Sequence, residues 1–131
     1  MKYFTINELC KSTTAVQKGI SNSPNSQIVN NLEQLVEHIL DPLREEYGKP
    51  IKVNSGYRCP ALNNAVGGSK TSHHMLGLAA DITGGSKIEN KKLFKLAQTL
   101  DLPFDQLIDE SNFSWIHISY SINPRKQILS L

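Results

Sequence analysis

A chain of 131 residues can bury one core and is too short for two, so a single domain spanning 1–131 is expected. With 39% hydrophobic and 20% charged residues, the composition is that of a soluble globular protein, not of a disordered one. A net charge of +2 with no lysine or arginine run argues against nucleic acid or an anionic membrane as the main partner.

The N-terminal stretch MKYFTINELCKS lacks the apolar run of a signal peptide, and no segment approaches membrane-spanning length, so synthesis in the cytoplasm is expected. Within it, Thr5 caps a short helical turn, with Glu8 completing a capping box. Cys10 and Cys59 lie far apart and are expected as free thiols. After the break NSPNSQ, Pro24 suits the first position of a helix. Its stripe Ile28, Leu32, Leu35, Val36, Ile39, Leu40 and Leu43 recurs at steps of three and four. Pro42 predicts a kink in that helix and Gly48 its end; His38 reads as a packing or surface residue. IKVNSG reads as a short strand, and PALNNAV as one or two helical turns stopped by Gly67 and Gly68.

Ala79, Ala80 and Ile82 predict a buried strand. Lys87 to Leu100 predicts a second amphipathic helix with Ile88, Leu93, Phe94, Leu96, Ala97 and Leu100 inward. PFDQLIDE and SWIHISY alternate at period two and predict a hairpin. Helices followed by short strands and a hairpin indicate an α+β domain, a small antiparallel sheet flanked by helices.

Chemistry enters at SHHMLGLAAD, Ser72 to Asp81, where two adjacent histidines precede an aspartate at the end of an apolar run. A carboxylate there is costly to bury without a positive neighbour, and nearby imidazoles make a metal ion the first candidate. In SWIHISY, Ile116 and Ile118 face the core with Tyr120, so His117 shares the opposite face with Trp115 and Ser119. Two histidines and one aspartate leave a tetrahedral zinc ion one open position, the pattern of a catalytic site.

These residues carry a family resemblance. SHHMLGLAAD matches S-x-H-x-x-G-x-A-x-D at Ser72, His74, Gly77, Ala79 and Asp81, WIHIS matches W-x-H-x-S, and VNSGYRCPALNNAVGG resembles an S-x-Y-R segment at Ser55, Tyr57 and Arg58. Together with FTINELCKS and LDPLREEYGKPI, they make the chain, over roughly residues 3 to 120, resemble the small single-domain branch of the M15 zinc peptidases. That group contains D-Ala-D-Ala carboxypeptidases, dipeptidases and phage endolysins acting on peptidoglycan stem peptides. The resemblance implies a hedgehog/D-Ala-D-Ala-peptidase-like fold, Zn2+ as cofactor held by His74, Asp81 and His117, and peptidoglycan peptide as the partner of a monomer acting at the cell wall. It makes His73 a neighbour and Arg58 the receptor of the substrate carboxylate. Tyr57 and Trp115 would line the substrate cleft, with Ser72, Ser119 and Gln106 supporting the ligands.

One position departs from the family pattern. Many members carry an acid three residues before the last histidine, and here Ser114 stands there, which cannot act as a base at neutral pH. Glu110 is the best substitute, since Gln106, Ile108 and Glu110 share a face by alternation. A four-residue turn SNFS or a two-residue turn NF would set Glu110 opposite Trp115, about 7 Å diagonally from His117. A three-residue turn would leave Asp109 as the fallback. Ser114 also keeps open a different class of function, a non-catalytic zinc module that binds wall peptide or serves in a phage assembly.

Overall fold

The computed structural model describes residues 1–131. Its first helix, α1 (Ile6–Cys10), starts with the expected capping box: the Glu8 amide donates to Thr5 Oγ1 at 3.1 Å, and the Thr5 amide to Glu8 Oε1 at 3.3 Å. A second short helix, α2 (Thr13–Lys18), follows, capped by Ser12.

The long apolar stripe forms α3 (Ser26–Leu35), a π-helical turn (Val36–Leu40) and α4 (Asp41–Tyr47) ending at Gly48 with φ +73°. All seven stripe residues are buried. Two details differ from expectation. The helix begins two residues after Pro24, because the Asn25 side chain accepts from the Ile28 amide at 2.9 Å and supplies the cap. Pro42, which has no N–H to give and whose ring would crowd the carbonyl four residues back, is accommodated by the π turn just before it: the Asp41 amide bonds Val36 O. The wider turn keeps Leu40 and Leu43 on the core side.

The sheet contains β1 (Lys52–Ser55), β2 (Ala79–Thr83), β3 (Phe104–Glu110), β4 (Trp115–Tyr120) and β5 (Gln127–Ser130) in the order β1-β2-β4-β3-β5. Only the β3–β5 pairing is parallel, so the α+β, mainly antiparallel expectation holds. Strand β5 was not expected: it is four residues long, largely exposed, and gains its order from a non-local partner. Leu32, Leu35, Val36, Ile39, Leu40 and Leu43 pack with Ile82, Leu107, Ile116 and Ile118 of the sheet, each buried side chain adding roughly 1.5–3 kcal/mol. Tyr120 closes the edge of this core by stacking on His38, ring centroids 4.8 Å apart.

Between β1 and β2 lie α5 (Pro60–Ala65) and a 3₁₀ turn (His73–Leu76). Helix α6 (Lys87–Thr99) buries Asn90, Leu93 and Ala97, so Ile88 falls outside that stripe and is 69% exposed instead of inward. Asn90 earns its burial with hydrogen bonds: its Oδ1 accepts from Thr83 Oγ1 and the Gly84 amide, and its Nδ2 donates to the carbonyls of Phe113 and Ser114. That one carboxamide ties α6 to the end of β2 and to the β3–β4 turn. No helix is long and apolar enough to cross a membrane.

Candidate metal centre and substrate cleft

Asp81 of β2 pairs directly with His117 of β4, which places both side chains on the same sheet face, opposite Ile82, Ile116 and Ile118. His74 reaches that point from the 3₁₀ turn, whose start is capped by Ser72 Oγ accepting from the His74 amide at 3.1 Å. His74 Nε2 and His117 Nδ1 lie 3.2 and 3.0 Å from Asp81 Oδ1, and all three donor atoms fall within 4.8 Å of one another. The His74 ring is 2% exposed, and its Nδ1 donates to the Gly56 carbonyl at 2.7 Å. That bond keeps a proton on Nδ1 and aims Nε2 at the other two donor atoms. Burial pushes the Asp81 carboxyl up, but hydrogen bonds from His117 and His74 outweigh it and hold the group well below the usual carboxylate range. Two imidazole nitrogens and one ionised carboxylate are a donor set that fits zinc with one corner open.

The carbonyl that orients His74 belongs to a glycine for a steric reason. A Cβ on Gly56 would lie 2.2 Å from Leu9 O, the atom that accepts from the Tyr57 amide at 2.8 Å. The end of α1 therefore sets the chain path through Gly56, Tyr57 and Arg58.

Arg58 follows directly. Its amide donates to His74 O at 3.0 Å, its Nη1 donates to Asn63 Oδ1 at 3.2 Å, and its Nη2 lies 3.9 Å from Asp81 Oδ2. Burial lowers its pKa and the Asp81 charge opposes this, yet a guanidinium remains a cation. Its Nε is buried without any partner, an unmet donor in the side chain that approaches Asp81. Asn63 is itself buried and donates to Ser69 O at 2.9 Å, so the Arg58 fork is held from behind.

Gly67, at φ +72°, is the expected helix stop, but Gly68 does more. A Cβ there would meet Asn63 Oδ1 at 2.1 Å and Arg58 Nη1 at 2.8 Å. Asn63 is bonded on both sides and cannot give way. Gly68→Ala is expected to lower stability by about 1–3 kcal/mol and to displace Arg58. A fall in Tm on thermal melting would check the first, and a structure of the variant the second.

His74, Asp81, His117, Arg58 and Gly68 open on one cleft of about 1520 Å³, lined also by Tyr57, His73, Gln106, Ile108, Glu110 and Trp115. Tyr57 contributes from the core side, being buried itself. The hairpin turn is the four-residue Ser111–Ser114, with Ser111, Asn112 and Phe113 at positive φ, and the register sets Glu110 opposite Trp115 and Ile108 opposite His117. Glu110 accordingly lies on the cleft wall. Asp109 points elsewhere, its Oδ1 accepting from the Phe113 amide at 2.6 Å. Ser114 donates to Ser111 O at 2.7 Å within the turn and does not line the cleft.

Ser119 and Gln106 have contacts other than the expected ones. Ser119 Oγ, fully buried, accepts from the Gln106 amide at 3.0 Å, and Gln106 Nε2 donates to Gln127 Oε1 at 2.7 Å; neither is hydrogen-bonded to His74, Asp81 or His117. Their bonds secure an irregularity in β3 between Phe104 and Leu107. The structure also brings in residues that periodicity could not single out: Asn63 behind Arg58, Gly56 under His74, and the pair Asp105 and Arg125 beside His73.

His74, Asp81 and His117 form a donor group that could hold a metal ion with one corner open, and a mostly buried guanidinium stands beside it in the same cleft. The sequence model of the family described as Peptidase M15 matches residues 2–119, and the chain belongs to that family. It is also similar to a zinc D-Ala-D-Ala carboxypeptidase of Streptomyces albus G, 47% identical over 49 residues. That stretch is 37% of this chain and only 19% of that relative.

Proposed function

We propose that the chain is a zinc peptidase that hydrolyses a peptide bond of the bacterial peptidoglycan stem peptide, as a D,D-carboxypeptidase or an endolysin-type endopeptidase. The observation that carries this reading is the His74, Asp81 and His117 donor set beside the unpartnered Nε of Arg58, in a chain of the peptidase M15 family. The name of the Streptomyces relative supports both the metal and the substrate class.

His74, Asp81 and His117 would hold zinc, which would supply Lewis acidity toward the scissile carbonyl and toward a water near neutral pH. The Arg58 fork receives the substrate carboxylate, meeting its buried Nε and drawing the peptide along the cleft. Glu110, on the strand beside His117, takes the proton from the attacking water and returns it to the leaving amine. Trp115 and Tyr57 wall the peptide path, and Ser72 holds the turn that presents His74. The enzyme works as a monomer at the cell wall.

The test is incubation of the zinc-loaded protein with purified peptidoglycan, counting released amines and identifying the fragments by mass spectrometry. Release of D-alanine marks the carboxypeptidase, and opened cross-links or stems mark the endopeptidase. Ser114, turned into the hairpin where family members carry an acid, favours one second reading, a zinc-containing module that binds wall peptide without cutting it. Zinc binding with no amine released would select it.

Within the first reading, Arg58→Lys is expected to raise KM about tenfold or more while kcat and zinc content change little, since an ammonium cannot offer the planar fork. Steady-state kinetics on a D-Ala-D-Ala-terminated peptide, with metal analysis, decide this.

A further inference from the structure

On the far side of the metal centre from Arg58 lies a second guanidinium that the hydrolytic chemistry leaves unused. The strand order runs from β2, carrying Asp81, through β4, carrying His117, to β3 and then β5. Phe104 and Leu107 of β3 both enter the core although three residues apart, so the irregularity between them turns the intervening pair away from regular alternation. The Asp105 side chain is only 5% exposed, and its carboxylate is gripped by Arg125 from the segment joining β4 to β5. Arg125 Nε lies 3.1 and 3.2 Å from the two oxygens, Nη2 lies 2.7 Å from Oδ2, and the Arg125 amide donates to Oδ1 at 3.0 Å. His73 Nε2 flanks the same carboxylate at 3.8 Å.

This grip fixes Arg125 by one edge only. A guanidinium has five N–H donors on a planar fork, and the Nη1 side makes no bond within the protein. Arg125 is nonetheless 56% exposed at its side chain and lines the cleft together with His73 and Gln106. A rigidly held cation with a free planar edge on a cleft wall is suited to bidentate capture of a carboxylate.

We propose that Arg125, positioned by Asp105, is a specificity-determining residue that binds a second carboxylate of the substrate, on the amino-terminal side of the scissile bond. The inference rests on the peptidase reading, in which Arg58 takes the carboxy-terminal carboxylate.

The test uses the zinc-loaded full chain and two D-Ala-D-Ala-terminated peptides that differ only in one residue before the scissile bond, a free side-chain carboxylate in one and its carboxamide in the other. Wild type is expected to favour the carboxylate peptide in kcat/KM by about tenfold or more. Arg125→Gln should reduce that preference to about twofold or less while cutting the carboxamide peptide nearly as well as wild type. The double variant Asp105→Asn with Arg125→Gln, which leaves no unpaired buried charge, should behave alike. A merely structural role would slow both peptides equally, and that result, or a wild type indifferent to the two, overturns the inference. If neither peptide is cut, binding read through Trp115, the single tryptophan and a cleft residue, decides. A carboxylate preference in binding that disappears in both variants sustains the inference while the hydrolytic reading fails; equal binding of the two peptides overturns it.

Discussion

Asp81→Asn is expected to empty the metal centre and remove hydrolysis while leaving the fold in place. The carboxylate is the one anionic donor of the three, and its Oδ1 is the atom both imidazoles approach, at 3.0 and 3.2 Å. A carboxamide of the same shape keeps a neutral oxygen there but no charge to oppose a dication. The loss should exceed the roughly 10–100-fold cost of removing a supporting hydrogen bond from a ligand. Metal analysis after dialysis against micromolar zinc should find wild type near one equivalent and the variant near none. Equal zinc content in the two proteins would remove Asp81 from the ligand set. The zinc-free proteins supply a second signature. In the fold the Asp81 pKa is depressed, because hydrogen bonds from His117 and His74 outweigh the upward push of burial. A depressed carboxylate stabilises the fold above its unfolded pKa of about 3.9 and loses that contribution as the pH falls through the folded value. Zinc-free wild type should therefore be more stable than zinc-free Asp81→Asn near pH 7, and the gap should close as acid is added below about pH 4.

The parts of this centre that were legible in the sequence are those set by local period. Alternation in SWIHISY separates His117 from Ile116 and Ile118, and the parity of a four-residue turn fixes which residues of β3 face it. The stripe from Ile28 to Leu43 is buried as its spacing requires. What stayed hidden depends on buried polar side chains whose partners are remote in the chain. Asn63, Asn90 and Asp105 read as surface residues by type, yet each is buried and satisfied by groups that only the assembled fold brings near. Gly68 looked like a helix stop because its reason for being glycine, the Arg58–Asn63 pair above it, is a tertiary contact. Strand β5 escaped for the related reason that its parallel pairing with β3 leaves no hairpin signal.

Those hidden groups decide how accurately the legible ones are placed. Asn90 holds the carbonyls of Phe113 and Ser114, Asp109 holds the Phe113 amide, and together they stabilise a turn with three consecutive positive-φ residues, none of them glycine. Such backbone is costly, by about 1–3 kcal/mol per residue in sparsely populated regions, and persists because its surroundings over-determine it. The consequence is at the other end of the turn: Glu110 is locked opposite Trp115, on the cleft side.

Glu110→Gln is accordingly expected to separate chemistry from everything else. Glu110 takes part in none of the ion pairs of the fold, so the neutral isostere should leave Tm close to wild type. Zinc content should be retained, since all three proposed ligands remain. With the proposed proton acceptor gone, kcat should fall by about 10²–10⁴ while KM stays near its wild-type value, because the proposed carboxylate site at Arg58 is unaltered. Asp109→Asn is the control: by weakening the bond to the Phe113 amide it should lower Tm, and any loss of rate should be small beside that of Glu110→Gln. Ser114→Glu in the Glu110→Gln background should not restore activity, because position 114 lies in the turn and off the cleft wall. Full activity in Glu110→Gln, or its rescue by Ser114→Glu, would move the proton transfer to another residue and leave the metal ligands as they stand.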